Sequence, residues 1–203
     1  RLSPCAVLSS TPYRDGRDMA AEAAQYAQQG VRAFRMFPLY HKTEFSDPPV
    51  RAALDFLQSR GLPLWLDFDQ PYYTFVQLGQ HEHRGPALPA VERLAQDYPG
   101  LNIVVCAVNY NHNGQLLTLF GRCPNVRIET SLFQGLEMIR RVTEQFGPER
   151  LLFGTGLPSV SAGAARAMLM YSRISRRDKQ LIAAGNLEKL LGEVRTPALP
   201  EQP

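Results

Sequence analysis

LLFGTGLP, residues 151–158, is a short apolar run that closes on two glycines and a proline. A run of this length bounded by turn formers reads as a buried strand. Working outward, the same kind of segment recurs: PCAVLS (4–9), VRAFRMF (31–37), PLWLDF (63–68), NIVVCAV (102–108) and VRIETS (126–131). Between them lie helical patterns. Ala20, Ala23, Ala24 and Ala27 fall at i, i+3, i+4 and i+7 before Gly30, and Val50, Ala53, Leu54 and Leu57 follow the SDPP start of a second helix that ends at Gly61. Val91, Leu94, Ala95 and Tyr98 mark a third, Gln115 to Arg122 a short fourth, and Leu136, Ile139, Val142 and Phe146 a fifth. Two more are expected near 161–172 and 175–191.

Short strands alternating with helices imply parallel strands joined by crossovers. A closed parallel barrel needs eight such units and ~250 residues, whereas a doubly wound open sheet can stop at six. The open sheet would show a Gly-rich phosphate turn after an early strand, but the turn after the first strand reads SSTPYRDGRD. The pattern therefore predicts an α/β barrel of the TIM (β/α)8 type, incomplete, with about six of its eight units. The expected organisation is one barrel domain over 1–192, lacking its first two β/α units, followed by a Pro-rich, disordered tail over 193–203.

Composition excludes several function classes. The net charge of +3 comes from 22 basic and 19 acidic residues that are well mixed, so no basic stripe marks a nucleic-acid or membrane partner. The densest basic cluster, Arg173, Arg176, Arg177 and Lys179, reads as a solvated helix start. Three cysteines, Cys5, Cys106 and Cys123, give neither a disulfide framework nor a CxxC metal motif, and they point to a reducing compartment, the cytoplasm. No apolar run approaches the ~20 residues of a membrane span.

The last third of the chain carries a resemblance. GPERLLFGTGLP followed by ISRRDKQLIAAGNLEKLLG is similar to the closing pattern of the amidohydrolase-related family, in which a strand ends in Gly-Ser-Asp-x-Pro and a final helix carries Gly-Asn-x-x-x-Leu-Leu. GVRAFRMFP, GLPLWLDF and YPGLNIVVCAV resemble that family's fourth, fifth and sixth barrel strands in order and spacing. The resemblance extends to about Gly192. It implies a TIM barrel of metal-dependent hydrolases and decarboxylases, usually holding zinc or another divalent metal. It also implies that a His-x-His pair on the family's first strand would precede this chain. At the other ligand positions the sequence has Asp67 and Ala107 where the family places histidines, and Gly156 where it places an aspartate. His81 and His83 have the His-x-His spacing, but polar, Gly-flanked sequence surrounds them, so they read as surface loop. The expectation is a site without a bound metal, because two of these three positions carry no donor atom.

Barrel chemistry gathers at the C-terminal ends of the strands. Asp67 is the candidate catalytic group. Period-two alternation adds Asp69 from Asp67 and Asn109 from Ala107, and with Arg35 and Glu129 these form the candidate substrate-binding set. Thr155 also lies near a strand end, and His112 lies just past NYN. Each has a structural alternative: Asp67 paired with Arg35, Asn109 and Glu129 as loop anchors, Tyr72, Tyr73 and Phe75 packing the long connection onto the rim. Two functions stay open. One is a hydrolase or decarboxylase acting on a small polar or carboxylate-bearing substrate; the other is a metal-free ligand-binding or regulatory barrel. The partner expected is a small molecule, and the open edges of a partial barrel leave a homo-oligomer open as well.

Overall fold

The computed structural model describes residues 3–10, 18–67, 88–108, 112–135, 137–157 and 161–194. The described strands are β1 (Cys5–Val7), β2 (Ala33–Met36), β3 (Leu64–Asp67), β4 (Ile103–Cys106), β5 (Val126–Glu129) and β6 (Leu151–Leu152). The helices are α1 (Met19–Gln28), α2 (Pro48–Arg60), α3 (Leu88–Asp97), α4 (Asn113–Arg122), α5 (Met138–Phe146), α6 (Ala162–Tyr171), α7 (Arg176–Gln180) and α8 (Asn186–Gly192). The strands form one parallel sheet in the order β1-β2-β3-β4-β5-β6. That order never reverses, so the sheet has no switch point of the doubly wound kind and is an arc of a barrel. The long connection after β3, with Tyr72, Tyr73, Phe75, His81 and His83, lies outside the described residues.

Local chemistry explains the element ends. Asp18 caps α1, its carboxylate accepting from the Ala20 and Ala21 amides at 2.9 Å. Prolines at 48 and 49 open α2, where amides have no intrahelical partner, and Gly61 closes it in a left-handed conformation (φ 65°). The Asp47 side chain makes no cap bond, so at this end the prolines rather than a cap set the start. Ser175 caps α7 and bonds the Asp178 amide at 3.1 Å. The basic cluster sits here with Arg173, Arg176 and Arg177 exposed, as a solvated helix start should be.

The sheet has two unlike faces. Phe34, Met36, Leu64, Leu66, Ile103, Val105, Val126, Ile128 and Leu151 point to the helices and form the main core with Ala23, Leu54, Leu57, Val91, Leu94, Leu116 and Val142. On the opposite face Val104, Leu152 and Leu190, with Trp65 against them, form a small second cluster. Leu190 comes from α8. That helix ends with the Glu193 carbonyl close to Gly61, at the N-terminal ends of the strands. Val194, beyond Gly192, is buried in the main core, and residues 195–203 lie outside the described set.

β6 is held from the helical side. The run 176–192 is one helical stretch interrupted by a π turn over Leu181–Gly185. There the Ile182 carbonyl accepts the Phe153 amide at 3.0 Å, so the π turn lends an acceptor to the strand's exit. Next to it the buried Asn186 amide donates to Pro148 and Leu151 carbonyls, both at 2.8 Å. Replacing Asn186 by Leu leaves two carbonyls without this donor. The expected cost is about 2–3 kcal/mol, read as a lowered urea midpoint with an unchanged slope.

Candidate functional site

Strand register decides which side chains meet on the face away from the helices. In parallel pairs, Cα partners point the same way. Val7, Arg35, Trp65, Val104 and Arg127 therefore form one row across the sheet. Toward the C-terminal ends Asp67 pairs with Cys106 and Glu129 with Leu152, and the β4–β5 register continued one step past Val105 and Ile128 joins these pairs into the next row. Polar groups gather in the upper row and its diagonal neighbour Arg35, while Leu152 at the end of that row clusters with Val104 of the row below and Leu190.

Arg35 Nη2 donates to Asp67 Oδ2, and the guanidinium lies 5.3 Å from the centre of the Phe37 ring. The Asp67 side chain is 14% accessible and that of Arg35 37%, so the pair faces the open side without being fully immersed. Burial works against the Arg35 cation, but its surroundings, the charge and hydrogen bond of Asp67 among them, outweigh that and raise its pKa.

Glu129 sits differently. Its carboxylate accepts from the Ser131 amide at 2.8 Å and from the Ser131 hydroxyl at 2.6 Å. Burial pushes its pKa up from the ordinary 4.5; the Ser131 donors and Arg35 oppose the rise, and Asp67 adds to it. The carboxylate rests in space that a side chain on Gly154 would take: a Cβ built there falls 1.3 Å from Oε1 and 2.2 Å from the carboxyl carbon. Gly154 is not in the left-handed region, so the need for glycine is one of room rather than backbone conformation. Its amide is held by Thr130 Oγ1 at 3.3 Å. Cys106, between Asp67 and Glu129, is buried, and burial pushes its thiol well up, so it serves as a neutral filler and not as a nucleophile.

The structure thus brings Arg35, Asp67 and Glu129 together. Asp69 and Asn109 lie outside the described residues. Ala107 does not carry the alternation onward as expected: the inward residue at the end of β4 is Cys106, and Ala107 turns into the left-handed region at φ 59°. That turn breaks the period-two rule just before 109. Thr155 Oγ1 accepts the Leu157 amide at 3.4 Å and so supports its own loop. His112 stands at the N-terminal boundary of α4. Ser131, Gly154 and Cys106 were not singled out from the sequence. A glycine one residue beyond a strand end was the available signal for Gly154.

The residues at the positions that the resemblance assigns to metal binding do not fit a divalent cation by themselves. Asp67 is engaged by Arg35, Ala107 has only a methyl group, and Gly156, at φ 69°, has no side chain. Among the described residues no group of three or more His, Cys, Asp or Glu is placed to hold a metal ion. Among them, too, no helix is long and apolar enough to cross a membrane.

The family model described as Amidohydrolase matches residues 7–192. The chain belongs to the amidohydrolase family. Among curated protein sequences none matches it. Solved structures share the fold of this chain at low identity. An uncharacterized TIM-barrel protein from Bordetella bronchiseptica superposes with a TM-score of 0.71 at 18% identity, covering 94% of this chain and 66% of its own. A 5-carboxyvanillate decarboxylase from Sphingomonas paucimobilis gives 0.62 at 18%, covering 86% and 62%. A 5-carboxyvanillate decarboxylase from Novosphingobium aromaticivorans, complexed with manganese and 4-hydroxy-3-methoxy-5-nitrobenzoic acid, gives 0.63 at 15%, covering 85% and 60%. The chain spans less than two thirds of the length of each of these three proteins.

Two outcomes follow for Glu129 and its seat. Gly154→Ala overpacks against the carboxylate and costs roughly 1–3 kcal/mol. In a Glu129→Ala background that cost falls by about 1 kcal/mol, a coupling that denaturant unfolding of the four-member cycle measures. The pH dependence has a definite sign. Because the folded pKa of Glu129 is raised, the folded state binds more protons above pH 4.5, and this contribution to stability is lost as pH rises through the folded pKa. Glu129→Gln lacks that loss, so its Tm relative to the parent improves as the pH rises above the ordinary 4.5.

Proposed function

We propose that this protein is an amidohydrolase-family enzyme that hydrolyses or decarboxylates a small carboxylate-bearing molecule on the open face of the arc, with Asp67 as its base. One observation carries the reading: two carboxylates share a single row but keep different company. Asp67 is bonded to a guanidinium, and Glu129 to the neutral hydroxyl and amide of Ser131. Paired carboxylates in unlike environments are the arrangement that divides acid from base work. Arg35 orients Asp67 and presents the rest of its donor fork to an anionic group. Asp69 and Asn109 are assigned to substrate contact by sequence position alone. The named activities of the structural relatives support a carboxylate as the substrate class.

The proposed chemistry routes no step through a metal, since the described donors do not fit one. A second reading, a metal-free ligand-binding or regulatory protein, is favoured by the absence of donor atoms at Ala107 and Gly156. The two part on turnover. With 5-carboxyvanillate as probe, calorimetry is expected to show binding that Arg35→Gln weakens at least tenfold. Carbon dioxide release is expected to fall by roughly 10²–10⁴ in Asp67→Asn. Binding without turnover selects the second reading. Neither binding nor turnover, across this and other small aromatic carboxylates, removes the proposal.

A further inference from the structure

Arg35 holds one donor in an unfavourable place. Its Nη2 is bonded to Asp67, but its Nε is buried without a hydrogen-bond partner among the described residues. The side chain as a whole is 37% accessible, so water is close at hand. The ion pair does not account for this pose. A partly accessible pair is weak because water competes for both charges, whereas a buried donor without a partner forfeits its full hydration. A second contact must keep the guanidinium where it is, and Phe37 supplies it. Phe37 follows Arg35 by two residues at the exit of β2, so both side chains leave on the open face, and the guanidinium carbon lies 5.3 Å from the centre of the ring. The ring is itself backed. His41 stands edge-on to it at 6.0 Å and 87°, and Tyr40 packs against His41 at 5.1 Å. The turn that carries these rings is closed by the His41 amide on the Phe37 carbonyl at 3.0 Å and the Thr43 amide on the Pro38 carbonyl at 2.8 Å. Ser10 ties it to the segment after β1: its hydroxyl donates to the His41 carbonyl at 3.4 Å and lies 2.9 Å from the Thr43 hydroxyl, with both residues buried.

We propose that Phe37 is the positioning residue of this site: its ring, backed by His41, holds the Arg35 guanidinium with one edge on Asp67 and the rest of the fork turned to the anionic group of the bound molecule. The part that concerns binding rests on the function proposed above; the clamp on Arg35 does not. A long arginine side chain that swings freely loses rotamer freedom when it grips a ligand, and a fork already fixed in its plane loses less. Phe37 therefore acts on affinity through Arg35 and without touching the bound molecule.

Two measurements test the two parts separately. In proton–nitrogen NMR spectra the Arg35 Nε–H signal, assigned by its loss in Arg35→Gln, is expected to be displaced upfield by the Phe37 ring and to exchange slowly with water. Phe37→Leu is expected to return it to the position of solvated arginines and to speed its exchange, whereas Phe37→Tyr, which keeps the ring, leaves it displaced. Calorimetry with 5-carboxyvanillate is expected to show binding weakened about three- to thirtyfold in Phe37→Leu, the range that a cation–π contact spans. Adding Phe37→Leu to Arg35→Gln is expected to weaken it no further, because the ring acts through the guanidinium. Equal weakening in both backgrounds overturns the proposal, as does an Arg35 signal that Phe37→Leu leaves in place or that Phe37→Tyr loses equally. Should Phe37→Leu fail to fold by circular dichroism, His41→Ala, which removes the backing and leaves the ring, is expected to shift the signal the same way, and an unmoved signal then overturns the proposal. If the probe does not bind, it is the function proposed above that fails, and the NMR signal still decides the clamp.

Discussion

A parallel sheet sealed by helices on one face must dispose of whatever its rows place on the other. In this arc the register fixes that outcome. Once Asp67 and Cys106 are Cα partners and the β4–β5 register, continued one step past Val105 and Ile128, brings Glu129 level with Cys106, their side chains stand side by side, and Arg35 reaches Asp67 along the diagonal. None of these groups could turn to the helix side, where Phe34, Leu66, Val105 and Ile128 leave no polar partner. The clustering of charge is thus a consequence of pleat and pairing. Its chemistry comes from what each charge meets next.

What they meet differs between the two ends of the sheet. At the N-terminal ends the space is closed. Leu190 of α8 fills it against Val104, Leu152 and Trp65, while Arg127 is anchored to Asn102 Oδ1 at 2.6 Å. Arg150, buried behind the same end, is tied to the Phe120 and Cys123 carbonyls and lies 4.5 Å from the Phe120 ring centre. Its pKa is lowered to about 10 by burial, with Arg127 adding to the effect. Those cations are spent on structure. At the C-terminal ends Arg35 remains partly accessible and Glu129 has no bonded cation among the described residues; this is the end at which parallel barrels place their working groups.

Much of this was legible in the sequence, for definite reasons. Six apolar runs with helical patterns between them fix a parallel α/β arc, because period two and period 3.6 are read from spacing alone, and the absence of a Gly-rich turn disfavours the doubly wound sheet. The pairing of Arg35 with Asp67 was available as an alternative on the same grounds. What the sequence hid was contact across strands. Gly154 and Glu129 are 25 positions apart, and nothing in either local pattern states that one occupies the side-chain space of the other. Cys106 was hidden by its apolar neighbours. It took register to show that it, and not Ala107, stands beside Asp67.

The turn at Ala107 is the point where local rule and tertiary structure part. A non-glycine residue in the left-handed region costs about 1–2 kcal/mol, and it persists only where surrounding packing over-determines it. Cys106 and Val108 supply that packing on either side, both buried. The cost falls immediately past the row that holds Asp67 and Glu129, so the chain leaves β4 by a bend instead of extending the strand. An extended exit would have carried the pleat onward and set the next inward side chain directly above Cys106. The bend instead keeps the Ala107 methyl buried and ends the row at Cys106. The floor between the two carboxylates is therefore a buried thiol that burial keeps neutral. The difference between Asp67 and Glu129 then rests on their own partners, a guanidinium for one and the Ser131 donors for the other.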